Sequence, residues 1–97
     1  MAPGDPDQDP LVRELRAAIT AADRTILAAV NTRLELVRRL REHKRANGWD
    51  FVDPRREGEL LDALARENPG PLSEEGVREL FGELLGLAKR ETGDPAG

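Results

Sequence analysis

Apolar residues recur every three or four positions along the first half of the chain, from Leu11 to Leu40. This spacing is the period of an amphipathic helix. Neither Gly nor Pro occurs between Leu11 and Asn47. The pattern predicts a first helix that begins near Pro10 or Leu11 and has about 35 residues, roughly 50 Å at ~1.5 Å per residue. Two shorter helices of the same chain cannot cover that length, so the pattern also implies a partner helix.

Turn-forming and capping residues divide the rest of the chain at Asn47-Gly48, Asp53-Pro54 and the stretch from Asn68 to Ser73. Asn and Gly readily take the left-handed conformation that ends a helix. Asp and Ser accept hydrogen bonds from the free backbone donors that begin one. No alternating strand pattern and no internal repeat interrupts this series. The predicted fold is therefore all-α, with one long, one short and one medium helix.

Composition is typical of a single helix-rich domain, with 38% hydrophobic and 35% charged residues. Residues 1–10 contain three Pro and three Asp, so we expect a disordered N-terminal tail there. Residues 11–92 form the predicted domain, and residues 93–97 form a C-terminal tail. With one Met, one Trp and two Phe, the core should be thin. A second subunit is expected to supply part of the interior.

Several classes of protein are excluded or disfavoured by the inventory of side chains. The chain has no Cys, so disulfides, thiol chemistry and thiolate metal sites are impossible. A net charge of -4 argues against general affinity for nucleic acid. No apolar run approaches ~18 residues, and the first residues lack the features of a signal peptide. We therefore expect neither a membrane nor a nucleic-acid partner, and a cytoplasmic location. The single His43 is expected to be an exposed residue.

Two cations lie within the apolar stripe of the first helix. Arg33 stands seven residues after Ile26 and seven before Leu40, and Lys44 follows Arg33 by eleven residues. At about 100° per residue these positions fall near one line, with Arg33 and Lys44 about 16 Å apart along the axis. Lys and Arg side chains are rarely buried on the apolar face of a helix unless an anion pairs with them. The spacing indicates a site for an anionic ligand.

Arg16 cannot share a small ligand with Arg33 in the same chain. The two are seventeen residues apart, about 25 Å along one helix. Arg16 could serve a site built mainly by a partner, if the long helices pair antiparallel. The alternative is an exposed arginine paired with a nearby carboxylate.

The start of the second helix carries further candidates. Arg56 lies in its first turn, where the helix dipole disfavours a cation. Glu57 is well placed on dipole grounds alone, and Asp53 is first of all the helix cap. Trp49 and Phe51, in the preceding loop, are predicted to fill the gap between helices.

These residues together resemble a known family, the all-helical chorismate mutases. The resemblance covers residues 11 to about 91 and includes the connection NPGPLSEEGVRELF. The series that carries it is Leu15, Arg16, Ile19, Asp23, Ile26 and Leu27, followed by Arg33, Lys44, Gly48, Asp53, Pro54, Arg56 and Glu57.

The resemblance implies an intertwined homodimer with two equivalent sites. Each site would be lined by the three helices of one subunit and one arginine of the other. The implied reaction is the [3,3] rearrangement of chorismate, a small dianion, to prephenate, without cofactor, metal or covalent intermediate. Charge separation during such a rearrangement is eased by orientation and electrostatic stabilisation.

Roles follow from the resemblance position by position. Arg33 and the partner's Arg16 would bind the two carboxylates through forked, charge-assisted hydrogen bonds. Lys44 would donate to the ether oxygen, and Glu57 would accept from the C4 hydroxyl. The wall around that hydroxyl would be completed by Arg56 and Asp53.

The third helix departs from the family pattern at two expected binding positions. Ala88 stands where the family has a small hydroxyl residue, and Thr92 stands where it has the Gln or Glu that contacts the ether oxygen. Thr92 is short and close to the predicted helix end, which argues against its reaching the substrate. Three consequences are left open: the enzyme has low activity, it needs a partner that orders its C-terminus, or it prefers a related substrate.

Other functions stay open on the same scaffold. One is a mutase of 4-amino-4-deoxychorismate, and another is an isochorismate pyruvate lyase. Outside enzymology, the chain could be a non-catalytic dimerisation or regulatory module whose basic half-helix meets an acidic partner.

Overall fold

The computed structural model describes residues 4–93, and these contain three α-helices and no β-strand. The helices are α1 (Pro10–Ala46), α2 (Pro54–Glu67) and α3 (Glu74–Thr92). The prediction of an all-α fold with one long, one short and one medium helix is confirmed. Within the described residues, no helix has the length and apolar character needed to cross a bilayer.

The described part of the segment before α1 contains one short turn. Pro6–Gln8 form one 3₁₀ turn, in which the Asp5 carboxylate accepts a hydrogen bond from the Asp7 backbone N–H. Pro at the first position of the turn fixes the backbone angle that the turn needs. Residues 4–10 are all exposed, so the turn is held by polar contacts rather than by packing, and Arg13 and Arg16 of α1 both bond to Asp7. The C-terminal tail from residue 94 lies outside the described residues.

The end of α1 is a Schellman turn around Gly48. The backbone N–H of Gly48 donates to the Arg45 carbonyl at 3.1 Å, and that of Trp49 donates to the Lys44 carbonyl at 2.9 Å. Gly48 has a φ of 69°, the left-handed conformation that glycine takes without steric cost. The predicted stop at Asn47-Gly48 is confirmed, and the turn brings the backbone of Trp49 back to Lys44 in the last turn of α1.

Side-chain caps begin the other two helices, as the sequence predicts. The Asp53 carboxylate accepts from the Arg56 backbone N–H at 3.1 Å, and Pro54 takes the first position of α2. The Ser73 hydroxyl accepts from the Gly76 backbone N–H at 3.0 Å and caps α3. Both caps satisfy backbone donors that have no partner inside the helix.

Helices α2 and α3 pack against each other over a small core. Among residues 4–93, the buried hydrophobic side chains are Val77 and Ala88, both on α3. Arg78 joins the two helices, because it pairs with Asp62 of α2 at 2.9 Å and with Glu74 of its own helix at 3.3 Å. The hydrogen bonds to Asp62 and then Glu74 raise the pKa of Arg78.

Helix α1 buries none of its residues. The chain divides into two compact units, and the boundary between Thr32 and Arg33 falls inside α1. In the first unit the apolar stripe predicted from the sequence is solvent-exposed, with Ile19 60% and Ile26 59% exposed. The prediction of a thin core is confirmed.

Candidate active site

The second unit contains a cavity of about 200 Å³ that lies between residues of all three helices and the loop after α1. Its lining combines apolar and charged side chains, as is usual for a small-molecule site. The charged lining residues are Arg33, Lys44, Asp53, Arg56, Glu57 and Lys89, and the others are Val37, Leu40, Phe51, Val52, Leu60, Leu85 and Ala88.

Helix α1 contributes one face to this cavity, as its periodicity predicts. Arg33, Val37, Leu40 and Lys44 all line it, at spacings of three or four residues. Arg33 is partly buried, and its guanidinium forms no ion pair among residues 4–93. A partly buried guanidinium without a carboxylate partner is suited to bind an anionic group that enters the cavity.

Lys44 is held at the end of α1 by two separate contacts. Its carbonyl accepts from the Trp49 backbone N–H, and its ammonium donates to the Phe51 carbonyl at 3.2 Å. Both contacts depend on the turn at Gly48, which brings the loop back over the last turn of the helix. An ammonium has three donors, so one bond to Phe51 leaves two for a ligand.

The aromatic residues of the loop have different environments. Phe51 is half-buried in the cavity wall, and the Arg41 guanidinium lies 4.6 Å from its ring centroid. This cation–π contact holds the ring in place. Trp49 is 60% exposed and meets the His43 ring edge-on at 5.9 Å. The prediction that Trp49 fills the gap between helices is wrong, because the turn that anchors its backbone directs the indole to the surface.

The first turn of α2 brings three predicted residues to the cavity together. Asp53, Arg56 and Glu57 all line it. Asp53 is the cap of α2, as its sequence position indicates, and this bond fixes the backbone of Arg56. The Arg56 guanidinium has no ion pair in the described part of the chain. Glu57 is partly buried and does have a partner, which comes from α3.

That partner is Lys89, a residue that no motif of the sequence indicates. Its ammonium lies 2.8 Å from a carboxylate oxygen (Oε1) of Glu57, and Lys89 lines the cavity beside Leu85 and Ala88. Its position in the sequence could have indicated this role, because Lys89 stands four residues after Leu85, on the edge of the apolar stripe of α3. Ala88 is 4% exposed, and its small side chain lines the cavity.

Two predicted binding residues do not line the cavity. The Thr92 hydroxyl donates to the Ala88 carbonyl at 2.6 Å, one turn earlier in the same helix, so it is turned away from the cavity. Arg16 pairs with Asp7 at the surface of the first unit. Within the described residues its partner is this surface carboxylate, and the role of Arg16 toward a second subunit stays a prediction.

The charge of the cavity matches a small dianion. Four cationic residues, Arg33, Lys44, Arg56 and Lys89, stand against the carboxylates of Asp53 and Glu57, which leaves a surplus of two positive charges. The lining offers no Cys, Ser or His as a nucleophile or proton carrier. Such an arrangement can hold an anion in one conformation and stabilise charge as it separates.

Comparisons with known proteins agree with this geometry. A family model described as chorismate mutase type II matches residues 15–92. The solved structure of chorismate mutase (form II) from Thermus thermophilus has 31% identity and a TM-score of 0.82, covering 87% of this chain and 96% of that one. Form I from the same organism has 34% identity and a TM-score of 0.78, covering 79% and 96%. A search of curated proteins found no match. On the family match and the shared fold, the chain belongs to the type II chorismate mutases.

Proposed function

We propose that the chain converts chorismate to prephenate by a cofactor-free [3,3] rearrangement, as a chorismate mutase. The observation that carries the proposal is the cavity of the second unit, in which Arg33, Lys44, Arg56 and Glu57 meet over an apolar floor. These four belong to the series that the family resemblance assigns to substrate binding. Membership of the type II family supports an isomerase activity of this kind.

In the proposed complex, Arg33 binds a substrate carboxylate and Lys44 donates to the ether oxygen. As the carbon–oxygen bond breaks, negative charge gathers on that oxygen, and a nearby ammonium stabilises the transition state more than the ground state. The Phe51 carbonyl fixes the Lys44 ammonium at 3.2 Å, so the donor is oriented before the substrate arrives. Little reorganisation is then needed during the reaction.

In the same complex, Glu57 accepts the hydrogen bond of the C4 hydroxyl, and Arg56 and Asp53 complete the wall around it. Ala88 brings a methyl group where relatives have a small hydroxyl, so it shapes the cavity without donating a hydrogen bond. Holding the flexible substrate in its compact, reactive conformer contributes the orientation term of the catalysis.

We also propose that the active form is an intertwined homodimer in which the partner subunit's Arg16 binds the second carboxylate. The support is the long α1 helix, which buries no residue and exposes a row of large apolar side chains. That row includes Leu11, Leu15, Ile19, Ile26 and Leu36. An isolated chain would leave this surface in water at a cost of about 25 cal/mol per Å² of apolar area. A cytoplasmic location stays a prediction of the sequence.

Thr92 bears on the rate of this proposed reaction. Its hydroxyl is engaged with the Ala88 carbonyl, so the ether oxygen receives no hydrogen bond from Thr92. Loss of one donor of this kind typically costs ~2.7 to 4 kcal/mol of transition-state stabilisation. We therefore expect slower turnover than in a family member that has a Gln or Glu at this position.

The test is to mix the purified protein with chorismate and follow the loss of its ultraviolet absorbance, with identification of the product. Formation of prephenate supports the proposal. Conversion of 4-amino-4-deoxychorismate without conversion of chorismate would support the amino-substrate mutase instead. Release of pyruvate from isochorismate would support the lyase. No turnover of any of the three, with a protein that is folded by circular dichroism, would support a binding module.

A further inference from the structure

The ion pair between Lys89 and Glu57 crosses the cavity wall from α3 to the first turn of α2. The Lys89 ammonium and the Glu57 carboxylate lie 2.8 Å apart, and the two side chains are 44% and 26% exposed. Both residues line the cavity. The carboxylate proposed to contact the C4 substituent of the substrate therefore already carries a cationic partner.

We propose that Lys89 makes the site selective for a neutral substituent at the C4 position of the substrate, so that a hydroxyl is accepted and a protonated amine is rejected. This inference rests on the proposed function, because it takes Glu57 to face that substituent. Lys89 acts here as a specificity-determining residue through Glu57.

A hydroxyl group fits beside this pair. It is neutral, and it needs only one acceptor, which the Glu57 carboxylate can provide while it also accepts from Lys89. An ionised carboxylate has about four lone-pair directions on its two oxygens, so both hydrogen bonds can be made at once. The ion pair also holds the carboxylate in one orientation before the substrate binds.

A protonated amine does not fit in the same way. A nitrogen within hydrogen-bond distance of Glu57 would lie roughly 4 to 5 Å from the Lys89 ammonium, with two like charges facing each other across one carboxylate. The other cations of the wall, Arg56 and Lys44, add to the repulsion. Without Lys89, Glu57 would be an unpaired carboxylate in that wall and would favour a cation at C4.

The size of the effect follows from the charge separation. Like charges at about 4.5 Å change a rate or binding ratio roughly 5-fold at the dielectric constant of water and several hundredfold at the effective dielectric constant of a protein surface. Because Lys89 is 44% exposed, solvent screens it substantially. We expect the selectivity to change by about 5- to 50-fold when this one charge is removed.

The experiment compares kcat/KM for chorismate and 4-amino-4-deoxychorismate at neutral pH in the wild type and three variants. Lys89→Met removes the charge and keeps most of the stem, whereas Lys89→Arg keeps a cation. Arg90→Met is the matched control, because it removes one positive charge from the next position of α3, outside the cavity lining. Circular dichroism and thermal unfolding of each variant show whether the fold is retained, and Lys89→Gln replaces the Met variant if that one does not fold.

The expected result is a fall of about 5- to 50-fold in the preference for chorismate in Lys89→Met, with the preference kept in Lys89→Arg and Arg90→Met. An unchanged preference in Lys89→Met, or an equal change in Arg90→Met, would overturn the inference while the mutase activity of the wild type stood. If the wild type converted neither compound, the proposed function would fail on its own. Calorimetric affinities of the two compounds for the same variants would then decide on Lys89 by the same comparison.

Discussion

Replacing Lys44 by Met removes the charged donor proposed for the ether oxygen and keeps most of the aliphatic part of the side chain. Loss of one donor to a developing oxyanion costs about 2.7 to 4 kcal/mol, which corresponds to roughly 10² to 10³-fold in kcat. The same change removes the hydrogen bond to the Phe51 carbonyl, made at 3.2 Å. A typical hydrogen bond contributes only about 0.5 to 1.5 kcal/mol to stability, so the fold should survive.

The assay is the initial rate of chorismate loss over a range of concentrations, so that kcat and KM are separated. Since the ammonium stabilises the transition state more than the substrate, kcat should fall much more than KM rises. Arg39→Met is the matched control, because Arg39 is an exposed cation of the same helix outside the cavity lining. It removes the same charge and should leave both constants within about twofold, as surface substitutions usually do.

A loss of less than tenfold in kcat for Lys44→Met, in a protein with wild-type circular dichroism, would refute the role given to this ammonium. So would an equal loss in the Arg39 control, since the effect would then come from the net charge of the helix. A rise in KM alone would show that Lys44 binds substrate and transition state equally.

Three further expectations can be checked with single variants. Arg16→Ala and Arg33→Ala should each be inactive, but mixing them under conditions of subunit exchange should restore activity, since one of the two sites in a hybrid dimer is then whole; no recovery after confirmed exchange would count against a shared site. Gly48→Ala should lower the free energy of unfolding in urea by about 1 kcal/mol or more, because alanine is strained at a φ of 69°. A new methyl group meets no atom at either Gly48 or Gly58, so Gly58→Ala in α2, where φ is not positive, is the control and should not be destabilising. Thr92→Val should leave kcat/KM for chorismate within about twofold, because the hydroxyl faces the backbone of α3; a larger loss would place it in the site.

The helices could be predicted because their ends are decided locally. Asp53 and Ser73 each bond a backbone N–H three residues ahead, and Gly48 takes a conformation that few other residues adopt. Such signals need no knowledge of the tertiary structure. The same holds for Arg33 and Lys44, whose shared face follows from the period of one continuous helix.

The parts of the site that could not be predicted depend on contacts that residue spacing does not reveal. Lys89 reaches Glu57 because of the angle and separation between α3 and α2, which no spacing within either helix reveals. The hydrophobicity of Trp49 predicts a position inside, but the backbone bonds of the turn decide its direction. For Thr92 the sequence was a better guide, because a short hydroxyl near a helix end is expected to bond a carbonyl of the preceding turn, and it does.

The bare surface of α1 has a consequence for how the molecule responds to dilution. A helix that buries none of its residues within its own chain gains little tertiary stability there. If two copies cover that surface, folding and association become a single mass-action equilibrium, and the unfolding midpoint must fall as the protein is diluted. Catalysis would then be lost together with the quaternary structure. Thermal melts at two protein concentrations would show whether folding and association are coupled in this way.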